Sequence, residues 1–168
     1  KEVDVTRKFK FKNSGQEWEG VPIISSNMDT VSSVEMFSAL QQHKCITCFH
    51  KYIDVNDIIK TENIDSRYFM LSTGISENDY NRLVEKISNL KDANIYTHFI
   101  CIDVANGYML KLVEFCKKIR ETFPNITLVA GNVVTREMVE ELIINGGIDI
   151  IKVGIGSGAV CTTRLQTG

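Results

Sequence analysis

One thiol sits among groups that could put it to use. Residues 149–167 read DIIKVGIGSGAVCTTRLQT: a short apolar run, glycines at 154, 156 and 158, then Cys161 followed by Thr162, Thr163 and Arg164. Glycine lets the backbone take positive φ and approach a ligand closely, so such a loop can turn amides toward a phosphate or carbonyls toward a cation. A cysteine at its end, beyond the carboxyl end of a strand, is placed as a nucleophile. The alternative is a small buried residue, which the polar neighbours Thr162, Thr163 and Arg164 fit poorly. The loop holds no histidine, so a protease-like Cys-His pair is not visible.

Other reactive types fall at the ends of apolar runs. Lys152, desolvated in a pocket, could form a Schiff base with a carbonyl substrate. A lysine at a strand end more commonly packs its stem and reaches a carboxylate, here Asp149 or Asp103. Asp103 ends the run FICID, where its carboxylate would face a ligand, while Asn106 and Tyr108 in DVANGY either orient that ligand or cap the next helix. His43, Cys45, Cys48 and His50 form H-x-C-x2-C-x-H. Within one predicted strand, however, Cys45 and Cys48 point to opposite faces and cannot share a tetrahedral metal. Ile46-Thr47 offers no helix N-terminus to a redox CxxC either, so core packing is the reading for all four.

Positioning these groups requires a repeated scaffold. Apolar, β-branched runs begin near Val21, Lys44, Tyr68, Thr97, Ile126 and Ile148, each followed by a helical pattern. That spacing suits a strand plus a crossover helix, and unbroken runs such as HFICI and ITLVA suit parallel strands buried on both faces. Helices are predicted over 31–41, over 78–90, and from an N-cap at Thr135 to a stop at Asn145-Gly146-Gly147. Polar residues follow every run: Asn27-Met28-Asp29, His50-Lys51, Ser72-Thr73-Gly74, Asp103, Gly131-Asn132 and the glycine loop. Polar groups at the carboxyl ends of all strands favour an α/β TIM (β/α)8 barrel with one mouth over an open sheet with a single crevice.

About six βα units are present. The expected organisation is one barrel domain over 1–168, truncated at both ends or completed by another chain, with a β-hairpin over 1–19 and βα units over 20–168 that include an active-site loop at 154–168. The hairpin follows from alternation between Val5, Arg7, Phe9 and Phe11 and the polar positions between them, around Asn13-Ser14-Gly15. Glu17 and Glu19 can pair with its lysines across the strands, which argues against reading the basic and aromatic mixture as a nucleic-acid surface.

The 168 residues are 43% hydrophobic and 24% charged, with a net charge of −2, so no global field draws the chain to nucleic acid or an anionic membrane. No apolar run approaches the roughly 18 residues of a membrane helix, and KEVDVTRKFKFK has no signal-peptide core. Five cysteines in apolar segments suit reduced thiols, and the expected location is cytoplasmic.

Taken in order, NMDTV (27–31), HK (50–51), DVANGY (103–108), AGNVVT (130–135) and GIGSGAVCTTRLQTG (154–168) resemble the inosine monophosphate dehydrogenase and guanosine monophosphate reductase family. The resemblance spans almost the whole chain and about two thirds of the family's eight-unit barrel. Asn27 stands where dehydrogenases typically carry proline, DVANGY replaces a DSSQGNS-like segment, CTTR replaces a CITQ-like one, and no regulatory domain interrupts the chain after Lys51. These features look like the reductase branch.

That resemblance implies an NADPH-dependent oxidoreductase that deaminates GMP reductively to IMP and ammonia. Cys161 would attack the purine C2 to give a thioimidate and Thr163 would help move protons, with a glutamate partner beyond Gly168. Lys51, Asp103, Val104, Ala105, Ile155 and Gly156 match cofactor positions. Ser26, Met28 and Asn132 match the nucleotide pocket, and the carbonyls of Gly156, Gly158 and Cys161 match a potassium loop. Ala159 departs from a serine that usually touches the nucleotide phosphate, and Ser157 from a common proline. A homotetramer binding purine nucleotides, with no nucleic-acid or membrane partner, is expected. The alternatives are the dehydrogenase direction, IMP to XMP with NAD, a Schiff-base lyase at Lys152, or a non-catalytic fragment.

Overall fold

The computed structural model describes residues 3–105, 110–156, 158 and 161–163. An antiparallel hairpin, β1 (Arg7–Lys10) and β2 (Glu17–Gly20), precedes six parallel strands: β3 (Ile24–Ser25), β4 (Ile46–Phe49), β5 (Phe69–Thr73), β6 (Phe99–Asp103), β7 (Thr127–Val133) and β8 (Ile150–Val153). Between them run α1 (Val34–Gln42), α2 (Val55–Ile59), α3 (Glu77–Asp92), α4 (Leu110–Thr122) and α5 (Arg136–Ile144). The six strands pair in chain order, β3 through β8. A doubly wound sheet reverses its order at a switch point, whereas sequential parallel pairing is how a barrel is laid down. The result is a curled parallel half-barrel of six strands at the positions the sequence predicts, and among the described residues the first five are each followed by a helix.

Burial explains the unbroken apolar runs. All residues of β4 and β5 are buried, the inner face toward the barrel axis and the outer face under helices. Phe37 of α1 meets Phe49 and Phe69 edge-on, with ring centroids 5.6 and 5.8 Å apart. On α3 and α4, Leu83, Leu90, Leu112 and Ile119 supply the inward stripes, each full burial contributing roughly 1.5–3 kcal/mol. Ser33, Asp54, Ser76 and Thr135 cap the helices that leave the carboxyl ends of the strands. Those caps fix where each mouth loop ends.

The hairpin closes the opposite end. Lys8 pairs with Glu19 at 3.4 Å and Lys10 with Glu17 at 3.9 Å, as the alternation predicts, but these exposed pairs contribute little. Packing carries more of the attachment: Phe11 and Trp18 stand edge-on to Phe99 at the start of β6, and the Trp18 Nε1 donates to the Arg67 carbonyl at 2.9 Å. Asp149 ties the end together. Its wholly buried carboxylate accepts from the Asn13, Ser14 and Leu128 amides and from the Arg120 guanidinium at 2.7 Å.

Several boundaries differ from the sequence reading. Helix α1 begins at Val34 rather than 31, because Met28 accepts the Val31 and Ser32 amides in a tight turn and Ser33 then caps the helix. Helix α3 runs from Glu77 to Asp92, beyond 78–90 at both ends, because Ser76 and Asp79 form a capping box. His43, Cys45, Cys48 and His50 do not share one strand: Lys44 takes φ of 56° between α1 and β4, so His43 caps the helix and only Cys48 lies in the strand. Core packing holds for Cys45 and Cys48 but not for the histidines: His43 is exposed at the end of α1, and His50, just past β4, lines the mouth.

Candidate active site at the mouth of the half-barrel

Loops from the first, second, third and fourth parallel strands converge on a cleft of about 360 Å³. Its lining includes Asn27, Met28, His50, Lys51, Tyr52 and Asp103. Ser32 holds two of these loops in register: its buried hydroxyl donates to the Met28 carbonyl at 2.8 Å and accepts the His50 amide at 3.1 Å. Lys51 pairs with Asp79 at 3.2 Å. Burial works to lower the Lys51 pKa, but the hydrogen bond and charge of Asp79 outweigh it and hold the ammonium above its ordinary range. Lys86, on α3, donates to the Lys51 carbonyl at 2.7 Å, and burial beside Arg82 pushes its own pKa down to about 8. Tyr52 presents an exposed ring within 5.2 Å of the Lys51 ammonium and 5.3 Å of the Arg82 guanidinium.

Asp103 stands at the carboxyl end of β6. Asn27 Nδ2 donates to its Oδ2 at 2.9 Å and Lys152 Nζ to its Oδ1. The sequence offered Asp149 or Asp103 to Lys152, and the structure selects Asp103. Burial works to lower the Lys152 pKa, but the hydrogen bond and charge of Asp103 outweigh it and hold the ammonium above its ordinary range. A lysine held as ammonium is not a Schiff-base nucleophile at neutral pH. Inside the mouth, Ser26, Asn27 and Lys152 share a recess of about 140 Å³ with Cys48, Cys101, Met70 and Val129. The hydrogen bond with Cys101, together with burial, holds the Cys48 thiol well above the normal thiol range.

The glycine loop follows β8, and Asn132 ties its start to the segment after Asp103. Asn132 donates its side-chain amide to the Gly154 carbonyl at 2.8 Å and its main-chain amide to Val104, so β7 links the segment after Asp103 to the loop after β8. Gly154 and Gly156 take φ of 114° and 52°, left-handed values that the sequence anticipates for glycine. Cys161 donates its amide to the Gly158 carbonyl at 3.1 Å and its thiol to Thr163 Oγ1 at 3.4 Å.

Met28, Lys51 and Asp103 are thus brought into one cleft, Ser26 lies in the adjoining recess, Asn132 stands near the end of β7, and Val104, Ile155, Gly156, Gly158, Cys161 and Thr163 belong to the segments after β6 and β8. Ala105 directly follows Val104 at an exposed position. Readings that concern Asn106, Tyr108, Ser157, Ala159 and Arg164 lie outside the described residues. Sequence reasoning missed Asp79, Ser32 and Tyr52. Only Asp79 left a local signal, as the fourth residue of the Ser76-x-x-Asp79 cap, and its tie to Lys51 is made by folding.

Comparisons with known proteins agree with this geometry. The family described as "IMP dehydrogenase / GMP reductase domain" matches residues 5–168. A protein of Shewanella pealeana named GMP reductase is 47% identical over 99% of this chain, and one of Escherichia coli O81 with the same name is 48% identical over the same share. The chain spans 48% of the length of each. The crystal structure of inosine 5′-monophosphate dehydrogenase from Legionella pneumophila superposes with a TM-score of 0.76 at 27% identity, over 99% of this chain and 49% of that one. Among the described residues no helix is long and apolar enough to cross a membrane. The strand order, the mouth and these matches together make the chain a member of the IMP dehydrogenase / GMP reductase family.

Proposed function

We propose that the protein is an NADPH-dependent GMP reductase, converting GMP to IMP and ammonia. The observation that carries this reading is the Cys161 thiol, 3.4 Å from Thr163 Oγ1, on a glycine loop whose start Asn132 ties to the segment after Asp103, in a chain 47–48% identical to proteins named GMP reductase. Cys161 sulfur forms a bond to the purine C2, the bond from C2 to the amino nitrogen breaks, and ammonia leaves after protonation through Thr163. NADPH, when bound, would supply a hydride to C2, and cleavage of the carbon–sulfur bond would then return the Cys161 thiolate.

The donor set fits a nicotinamide cofactor. Lys51 is a cation held charged at the cleft rim, Asp103 is a carboxylate beside it, and 360 Å³ is within the range of small-molecule pockets. Val104, Ala105, Ile155 and Gly156 would complete that wall, and Ser26, Met28 and Asn132 would face the nucleotide. Main-chain oxygens of Gly156, Gly158 and Cys161 are hard donors suited to K+. Among the described residues no cluster of His, Cys, Asp or Glu competes for a metal ion. A homotetrameric assembly and a cytoplasmic location complete the reading.

The test uses the full-length polypeptide with GMP and NADPH, followed by the loss of reduced-cofactor absorbance. Turnover abolished in Cys161→Ala supports the reading, and unchanged turnover removes the assigned mechanism. The second reading, the dehydrogenase direction, is favoured by the fold match to the Legionella enzyme. It predicts NADH appearance from IMP and NAD in the same assay.

A further inference from the structure

We propose that Asn27 and Lys152 form a clamp on the Asp103 carboxylate, and that both are positioning residues for the nicotinamide cofactor. This deepens the reading above and rests on it for the cofactor's identity. The three residues come from strands far apart in the sheet order: Asn27 follows β3 at one end, Lys152 lies in β8 at the other, and Asp103 ends β6 between them. Their meeting spans the mouth.

A gap in the side-chain row makes this possible. Asp103 is in register with Gly131 of β7, and Gly131 with Lys152 of β8. The strands holding Asp103 and Lys152 are two spacings, roughly 10 Å, apart. Because the middle position has no side chain, the long lysine stem crosses it to reach the carboxylate. A methyl group on Gly131 would collide with the Lys152 carbonyl and Cβ, so even alanine is too large there.

The clamp leaves the carboxylate usable. An ionised carboxylate has about four acceptor sites, and the two described donors occupy one on each oxygen. Asp103 remains 32% exposed and Lys152 30% exposed. Stability alone gives little reason to keep such a pair, since apolar side chains of similar volume commonly serve as well. What the pair and Asn27 do provide is a carboxylate whose plane is fixed from two sides, with its remaining acceptor sites toward the cleft. Asn27 also lines both the outer cleft and the inner recess, so its amide stands where the two meet.

The experiment uses the full-length protein and its Asn27→Ala, Lys152→Met and Lys152→Arg variants. NADPH binding is read by fluorescence titration without turnover, and KM is measured separately for NADPH and GMP. Lys152→Met is expected to weaken NADPH binding roughly ten- to a hundredfold and Asn27→Ala about tenfold, as for lost hydrogen bonds to a charged group. GMP binding should stay within about twofold, and Lys152→Arg should recover most of the NADPH affinity. The double variant should lose less than the product of the single losses, because both act on one carboxylate. Unchanged NADPH affinity in both single variants, equal losses for NADPH and GMP, or a wild-type protein that does not bind NADPH would overturn the clamp. A wild-type protein that binds NADPH but does not consume it with GMP would instead overturn the assigned reaction, leaving the clamp to be judged by titration.

Discussion

The two ends of the half-barrel each hold a carboxylate paired with a cation, and they use it differently. At the hairpin end Asp149 is fully buried, and Arg120, two hairpin amides and the Leu128 amide surround it. At the mouth Asp103 keeps a third of its side chain exposed and meets two described donors. A carboxylate saturated by main-chain amides is a structural joint. One held from two sides with acceptor sites left over is a tool.

The largest test of that contrast is Asp149→Ala, which removes the counter-charge of a mostly buried guanidinium and the acceptor of three main-chain amides. It should cost about 3–5 kcal/mol in urea unfolding. Asp103→Asn should cost under about 1 kcal/mol, because the group is a third exposed, while NADPH affinity falls. If the two variants unfolded alike, the distinction between joint and tool would collapse. A chemical comparison is milder. Iodoacetamide near neutral pH should modify Cys161 well before Cys48 or Cys116, since burial pushes the Cys116 thiol up to about 12 and Cys48 is also raised. Peptide mass mapping reads this, and early labelling of Cys116 would contradict it.

The smallest expected effect is a pH slope. Lys86 has its pKa depressed to about 8 from 10.5, so between those values the unfolded chain binds the proton and the folded chain does not. Stability should therefore rise as pH climbs through that window, and Lys86→Met should flatten the rise. Urea midpoints at several pH values check it. A slope that survives the substitution would assign it to another group.

The parallel strands are legible in the sequence because burial on both faces makes them unbroken apolar runs. The hairpin is legible because its lysines and glutamates alternate around a turn. Asp103 stands out as a carboxylate ending an apolar run. Asp149 could not be assigned in the same way, since sequence proximity to Lys152 suggested a pair. Three residues along a strand are roughly 10 Å apart, which carries the two groups toward opposite ends of the barrel. The Lys51 and Asp79 tie, and the lysine passage over Gly131, depend on neighbours set by strand order, for which the local pattern has no signal.

The bond from the Asn13 amide to Asp149 also sets a schedule. It joins positions 136 residues apart, so the hairpin leaves the ribosome long before its anchor exists. At typical synthesis rates that interval is on the order of ten seconds. Phe11 and Trp18 must likewise await Tyr68 and Phe99, and the hairpin, translated ahead of the strands whose end it closes, is among the last elements to be fastened.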